Sequence, residues 1–271
     1  MGGESLSSNA SATLTRPVVG VVVAIGITTA MDASGLSVFS ALPLFPLAGL
    51  LWAWERFSRV EMGLVRGSAR DYGLALLHPL VVLGAVTAVA VRADVIDLTE
   101  ADWRKAGLNM ALMGITTIIA VILTEEGFFR GWLWASLGRA GLGETQVLLW
   151  SSLAFSLWHV SAVSLETGFD IPAPQIPVYL VNAVLMGAIW GMLRLLSGSV
   201  IVASVSHGVW NGLAYVLFGF GTKVGTLGIE ATHIYGPEVG VVGLILNALF
   251  AFALWRWLQS HRSRTDGEAS A

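Results

Sequence analysis

The chain has no cysteine, which removes disulfides, thiolate metal ligands and a catalytic thiol in one step. Charge is scarce as well: Asp, Glu, Lys and Arg make up 12% of the residues, where soluble domains carry about a quarter. The net charge of -3 is small and spread over short segments, so it implies neither a nucleic-acid surface nor an acidic partner. Repeats of fixed period and long low-complexity tracts are also missing. Whatever chemistry the chain performs must come from His, Glu, Asp, Asn, Ser or backbone groups.

What is abundant is apolar sequence, at 55% of residues and a mean hydropathy of +0.73. Apolar runs of about 18 residues or more cross the ~30 Å hydrocarbon layer as helices, because each helical residue rises ~1.5 Å. Eight such runs are read here, at 17–32, 36–54, 72–91, 107–137, 147–165, 176–196, 199–218 and 238–258. The first has the short apolar core of a signal peptide, but only Arg16 flanks it and no small-residue cleavage site follows. It is read as a retained span. The fold class expected is all-α, a polytopic membrane protein of about eight transmembrane helices in one domain over 16–262. The Ser-, Ala-, Gly- and Thr-rich segments 1–15 and 263–271 are expected to be disordered cytoplasmic tails.

Cations gather in loops that stay in the cytoplasm. Arg16, then Arg56, Arg59, Arg66 and Arg70, then Arg139, Arg194, Arg256, Arg262 and Arg264 fall on one set of alternate segments. The other set is poorer in cations and richer in acids: Asp94, Asp97, Glu100 and Asp102 with Arg92, Arg104 and Lys105, then Glu166 and Asp170 alone, then Glu230 and Glu238 with Lys223. The pattern predicts an integral protein of the cell membrane with both termini in the cytoplasm. Thr99 to Asp102 has the form of a capping box and predicts a short helical turn before the fourth span. The prolines of "FDIPAPQIP", residues 169–177, predict an extended loop.

Ionisable residues inside spans cost ~2.5 to 3.5 kcal/mol each on insertion scales, so they tend to face a bundle interior and carry function. Glu125, Glu126 and Arg130 lie on the fourth span, His159 on the fifth, His207 and Asn211 on the seventh and His78 on the third. If the fourth span ends near Leu137, Glu125 lies ~18 Å from that end. His159 falls at the same height above Val147, His207 at ~12 Å and Asn211 at ~18 Å above Ser199. Independent registers thus bring Glu125, His159, His207 and Asn211 to one level.

His207 and Asn211 share a helix face at i, i+4, as do Phe155 with His159 and Glu126 with Arg130. Glu before Arg is the favourable order, so Arg130 satisfies Glu126 and leaves Glu125 to face another neighbour, with His159 the natural candidate. A carboxylate and an imidazole converging on water make a general base, while a second imidazole and a carboxamide donate to an oxyanion. Glu125, His159 and His207 would equally ligate Zn²⁺ with water at an open position. The residues alone leave both schemes open.

"EEGFFR" at 125–130 fits EExxxR, "FSLWH" at 155–159 fits FxxxH and "HGVWN" at 207–211 fits HxxxN. In that order and on separate spans, these resemble the motifs of the CPBP family, the CAAX-protease and bacteriocin-processing intramembrane proteases related to Rce1. The resemblance covers about residues 105 to 220. It implies an intramembrane endopeptidase with a conical active-site cavity open to the cytoplasm and a membrane-embedded or lipid-modified peptide as substrate. Glu125 and His159 would activate water, and His207 and Asn211 would stabilise the oxyanion. Glu126, Arg130 and Phe155 would support them. Family members have been described both as metalloproteases and as glutamate enzymes without metal; the metal-free form is favoured because Glu125 with His159 already supplies a base, with zinc as the alternative cofactor. Nothing in the chain reports on the lipid attached to a substrate.

His78, followed by Pro79, is read as a packing or interfacial residue, and Asn182 and Asn247 as interhelical hydrogen-bond formers. Gly187 and Gly191 form a GxxxG pair suited to a close helix approach. Trp52, Trp54 and Trp257 are read as interfacial, Trp158 and Trp210 as lining the site. The competing function is a proton-coupled secondary transporter, which requires polar motifs in both halves of an inverted repeat, whereas here they occupy the second half. The remaining alternative is a catalytically silent immunity or scaffold protein of the same fold.

Overall fold

A computed structural model describes backbone for residues 4–269 and side chains for 14–260. Eight helical segments are long and apolar enough to cross a membrane: Leu14–Ala33, Ser37–Glu55, Ala69–Arg92, Trp103–Arg139, Glu144–Ser164, Ala173–Ser197, Val200–Leu217 and Val241–Ser260. They match the eight runs read from hydropathy to within a few residues at each end, and the protein is an all-α polytopic membrane protein. Among the described residues the one strand pairing is a short hairpin of Gly219–Phe220 with Lys223–Val224.

The helices are α1 (Glu4–Ala33), α2 (Leu44–Glu55), α3 (Ala69–Arg92), α4 (Trp103–Leu123), α5 (Trp134–Arg139), α6 (Glu144–Trp158), α7 (Val160–Ser164), α8 (Ile176–Ser197), α9 (Val200–Leu217), α10 (Thr232–Tyr235) and α11 (Val241–Ala269). The capping box expected at Thr99 does not form. The Thr99 hydroxyl bonds Asp97 at 2.7 Å, and Asp102 is itself the N-cap of α4, accepting from the Lys105 amide at 3.0 Å. Asp97, two residues before Thr99, competes successfully for the hydroxyl.

Two spans are broken where the motifs lie. The fourth is α4, then a π-helical stretch at Gly127–Leu133, then α5. Thr124 leaves the helical region at φ -106, ψ -97, and its hydroxyl folds back onto the Ala120 carbonyl at 2.8 Å. Gly127 permits the widened turn, because a Cβ there would collide with the Ile122 carbonyl oxygen. Such π-turns are frequent at functional sites because they rotate the following side chains out of α register. The fifth span breaks at His159, which ends α6 and starts α7.

The π-turn is held from outside. Glu55, at the end of α2, is buried and accepts from Trp132 Nε1 at 2.8 Å and from the Ser136 hydroxyl at 3.2 Å. Arg194 of α8 donates from Nε to the Arg130 carbonyl at 3.3 Å. The central helix α9 packs on α3, α4 and α8. Its approach to α4 depends on Gly208 and Gly212: Cβ atoms there would stand 2.6 Å from the Ile118 amide nitrogen and 2.8 Å from the Met110 carbonyl oxygen. On α8, the expected GxxxG pair is used in the same way, with Gly187 against Ser152 and Gly191 against Leu148.

Candidate active site

The π-turn delivers both glutamates of "TEEGFFR" to the bundle interior. Glu126 and Arg130 are fully buried and paired at 3.2 Å through Glu126 Oε1 and Arg130 Nη1, the pairing expected at i, i+4. Arg130 also donates from Nη2 to the Gly187 carbonyl at 3.0 Å, and its guanidinium lies 4.3 Å from the Phe155 ring centroid. Phe155 is therefore the face on which the buried cation rests as well as the residue one turn before His159.

Glu125 points elsewhere. Its Oε2 lies 4.0 Å from His159 Nε2 and 3.9 Å from His207 Nε2, so residues from three different spans meet around one carboxylate oxygen. The Glu125 and His159 side chains retain 16% and 15% exposure, whereas Glu126 retains none. Access to solvent or substrate thus separates two glutamates adjacent in sequence.

The outer nitrogen of each imidazole is committed. His159 Nδ1 lies 2.8 Å from the Phe155 carbonyl, which can only accept, so Nδ1 carries the proton and a neutral ring presents a bare Nε2 to Glu125. His207 Nδ1 lies 3.0 Å from Glu126 Oε1, and the His207 ring stacks on Trp190 with centroids 3.8 Å apart and planes 10° from parallel. Asn211 stands one turn beyond His207 on α9, half-buried, and its carboxamide makes no hydrogen bond among the described residues. Glu125, His159 and His207 thus meet from three spans, two of which are broken at Thr124 and His159.

Behind this group lies a second polar layer. His78 is fully buried in α3, donates from Nε2 to Asn247 Oδ1 at 3.0 Å and stacks on Trp210 at 4.8 Å. Asn247 donates to Asn182 at 3.0 Å, and Asn182 donates to the Pro237 carbonyl at 2.8 Å and the Glu238 carbonyl at 3.1 Å. Trp210 closes the ring by donating to Glu238 Oε1 at 2.7 Å. Trp210 therefore faces this layer, and it is Trp190, which no motif marks, that lines the site beside His207. Glu238 belongs by sequence to the outward loop acids, yet it is buried, and that burial pushes its carboxyl up to about 7 against the Trp210 hydrogen bond. Pro237 before it and Gly236 and Gly240 around it are the signals of a tight re-entrant turn from which this burial could have been suspected.

For a metal, Glu125, His159 and His207 are the donors to test. Among the described residues no group of three His, Asp or Glu side chains is assembled to hold an ion. A groove of about 860 Å³ opens between the start of α4, the end of α9 and residues 219–230. It is lined by Asn109, Thr116 and Tyr215, and none of Glu125, His159, His207 or Asn211 borders it.

Residues 107–213 match a family model described as type II CAAX prenyl endopeptidase, Rce1-like. That segment contains all three motifs and stops just beyond Asn211, so it is Rce1-like as the motifs imply. No curated protein matches the chain.

Proposed function

We propose that the protein is an intramembrane endopeptidase that hydrolyses a peptide bond in a membrane-associated or lipid-modified substrate, without a covalent enzyme intermediate. The observation that carries this reading is the pair of imidazole Nε2 atoms, from separate helices, at 3.9 and 4.0 Å from one Glu125 oxygen. A water within ~2.8 Å of two groups about 4 Å apart closes a hydrogen-bonded triangle, so Glu125 and His159 suit a shared water. Neither pairs directly with the other, which leaves both free to act on it.

In this mechanism Glu125, with His159 Nε2, takes a proton from water as the oxygen attacks the substrate carbonyl. The resulting oxyanion receives hydrogen bonds from the Asn211 carboxamide and from His207. His207 donates to it from Nε2 when the ring is doubly protonated, because Nδ1–H is already given to Glu126. Glu126 therefore does for His207 what a buried carboxylate does for a catalytic imidazole: it fixes the ring and offsets its positive charge. The proton held by Glu125 then passes to the departing amine as the carbon–nitrogen bond breaks, restoring the base. Water activation in this scheme needs no metal ion.

The Rce1-like match over 107–213 supports a protease of the CAAX type and, with it, a lipid-bearing substrate within the bilayer. The gathering of Arg56, Arg59, Arg66, Arg70, Arg139 and Arg194 on alternate loops supports a cytoplasmic orientation for those loops in the cell membrane. A cysteine introduced at Arg59 should then react with an impermeant thiol reagent from the cytoplasmic side and one at Glu166 from outside; reversal would overturn the orientation. Hydrolysis is tested with purified protein in liposomes and a lipidated peptide series. Glu125→Gln should be inactive with an unchanged melting temperature, and Asn211→Ala should slow turnover ~100-fold to 1,000-fold with little change in KM. Wild-type turnover by Glu125→Gln would end the assignment.

A further inference from the structure

Helix α1 lies outside the Rce1-like segment, yet it reaches the break at His159. Trp158, immediately before the break, donates from Nε1 to the Thr28 hydroxyl at 2.7 Å. Ser161, just after it, donates to Asp32 Oδ2 at 2.7 Å. Thr28 and Asp32 are one helical turn apart on α1 and are both 2% exposed. A third bond, from the Ser37 hydroxyl to the Thr167 carbonyl at 2.8 Å, extends the contact into the loop after α7.

The first two bonds bracket the break. Between Trp158 and Ser161 the backbone leaves the α6 helix at φ -80, ψ -6 and begins the short α7. At this break the Phe155 carbonyl is taken by the His159 ring, and the His159 amide bonds the Ser156 carbonyl at 3.1 Å instead, so the regular helical ladder is interrupted where the ring stands. Both flanks of the interruption are bonded to a single helix. Phe155 holds the ring itself through its carbonyl, and α1 holds the turn on which the ring stands.

Asp32 is an expensive choice for packing alone. Its Oδ1 has no hydrogen-bond partner among the described residues, so a carboxylate inside a membrane span is answered by a single hydroxyl. An apolar side chain would fill the same position without that penalty. What Asp32 supplies instead is a buried acceptor held at 2.7 Å from the Ser161 hydroxyl, a directional bond that an apolar side chain cannot make.

We propose that α1 is a clamp on the fifth-span break, with Thr28 and Asp32 as positioning residues that hold His159 toward Glu125 through Trp158 and Ser161. The proposal rests on the assignment of His159 to the active site, and it gives residues outside the matched segment a role in the reaction. Neither Thr28 nor Asp32 touches the substrate. Their effect is on the placement of the imidazole, so it should appear in kcat and in the reactivity of His159 rather than in substrate affinity.

The test uses the full chain purified in detergent, with wild type, Asp32→Ala, Asp32→Asn and Thr28→Val. Carbethoxylation of His159 by diethyl pyrocarbonate, followed by mass spectrometry, reads ring placement without reference to activity, and kcat and KM are measured on the best lipidated peptide. Asp32→Ala should alter the His159 modification rate and lower kcat ~10-fold to 100-fold at unchanged KM, the scale of a small misplacement of a reacting group. Asp32→Asn keeps an oxygen for Ser161 and should restore most of both. Where Asp32→Ala does not fold, Thr28→Val and Ser161→Ala cut the same clamp from its other points and should give the same paired change. Wild-type modification and kcat in folded variants, or Asp32→Asn as impaired as Asp32→Ala, would overturn the clamp. A wild-type protein that cleaves none of the peptides, while His159 reactivity still responds to Asp32→Ala, would retain the clamp and remove the protease reading.

Discussion

His207 Nδ1 lies 3.0 Å from Glu126 Oε1, the same oxygen that Arg130 Nη1 reaches at 3.2 Å. One buried carboxylate oxygen thus serves a permanent cation on its own span and an imidazole on another. The arrangement joins the first and third motifs directly. Spacing along the fourth span gives Glu126 only Arg130 as a partner, which makes it look structural; the bond to His207 gives it a second role. Glu125, with partial exposure, lies by the Nε2 atoms of His159 and His207, and Glu126, with none, meets His207 at Nδ1; in the proposed mechanism the first takes the proton from water and the second supports the ring that answers the oxyanion.

Glu126→Gln separates these roles. The amide oxygen still accepts from His207 Nδ1, so the ring remains oriented, but the negative charge that offsets a doubly protonated His207 is gone. Turnover should fall ~100-fold or more with KM nearly unchanged, the signature of an interaction made in the transition state. Steady-state kinetics on the folded variant checks this. A kcat near wild type would show that Glu126 serves Arg130 alone.

Arg130→Ala should act through stability instead. Removing the guanidinium leaves the fully buried Glu126 with His207 as its remaining partner and frees the Gly187 carbonyl. Breaking one side of a buried pair costs about 3 to 5 kcal/mol. Thermal unfolding in detergent should therefore show a clearly lowered transition, with activity lost alongside it. Arg130→Lys should recover part of the loss, because an ammonium reaches one acceptor but cannot bridge Glu126 and Gly187 as the guanidinium fork does.

The spans are legible in the sequence because a membrane helix is a matter of length and composition, and both are local. The meeting of Glu125, His159 and His207 is legible from rise per residue, since helices crossing one layer share a height scale. Facing is less accessible. An α-helical wheel places Glu125 and Glu126 about 100° apart, but the π-turn at Gly127–Leu133 and the break at His159 set their actual directions. Those irregularities are bonded to partners far away in sequence, Glu55 and Arg194 at the π-turn and Thr28 and Asp32 beside His159. Trp190 escapes sequence reasoning for a related reason: an aromatic residue in an apolar span gives no sign that it will stack on a histidine. Glu238 reads as a solvated loop acid because its burial comes from the 236–240 turn folding back onto Trp210.

Glu238 gives the fold a pH dependence that this burial predicts. Its carboxyl is raised from 4.5 to about 7, chiefly by desolvation, with the Trp210 hydrogen bond and His207 opposing the shift and Glu125 adding to it. Tyr179 and Tyr215 also face it. A carboxyl with a raised folded pKa contributes stability that is fully present below its unfolded pKa. That contribution is lost as pH rises toward the folded pKa, because the folded state binds the extra proton. Between pH 4.5 and about 7 the loss amounts to about 3 kcal/mol, from 1.36 kcal/mol per pH unit. Glu238→Gln keeps an acceptor for Trp210 and has no proton to lose, so its melting temperature relative to wild type should climb across this window and level off above it. A constant difference between the two proteins from pH 4.5 to about 8 would show that Glu238 does not titrate there.

Metal content decides between the two ways in which Glu125, His159 and His207 serve hydrolysis. In the metal-free scheme the groups divide the chemistry among them. Glu125 and His159 hold the water, while His207 is tied through Nδ1 to Glu126 and turns a protonated Nε2 toward the oxyanion. Metal binding would require the opposite state of His207, since a ligating imidazole must present an unprotonated nitrogen. The two schemes therefore differ in stoichiometry and in the response to chelation. Protein purified without added metal should cleave its peptide with no stoichiometric zinc by elemental analysis, and dialysis against a strong chelator should leave kcat unchanged. Adding excess Zn²⁺ should inhibit, because an ion held between Glu125 and His159 would displace the water they share and consume the base. One equivalent of zinc whose removal and return switch activity off and on would reverse the assignment of His207 from oxyanion donor to ligand, and leave the endopeptidase reading in place.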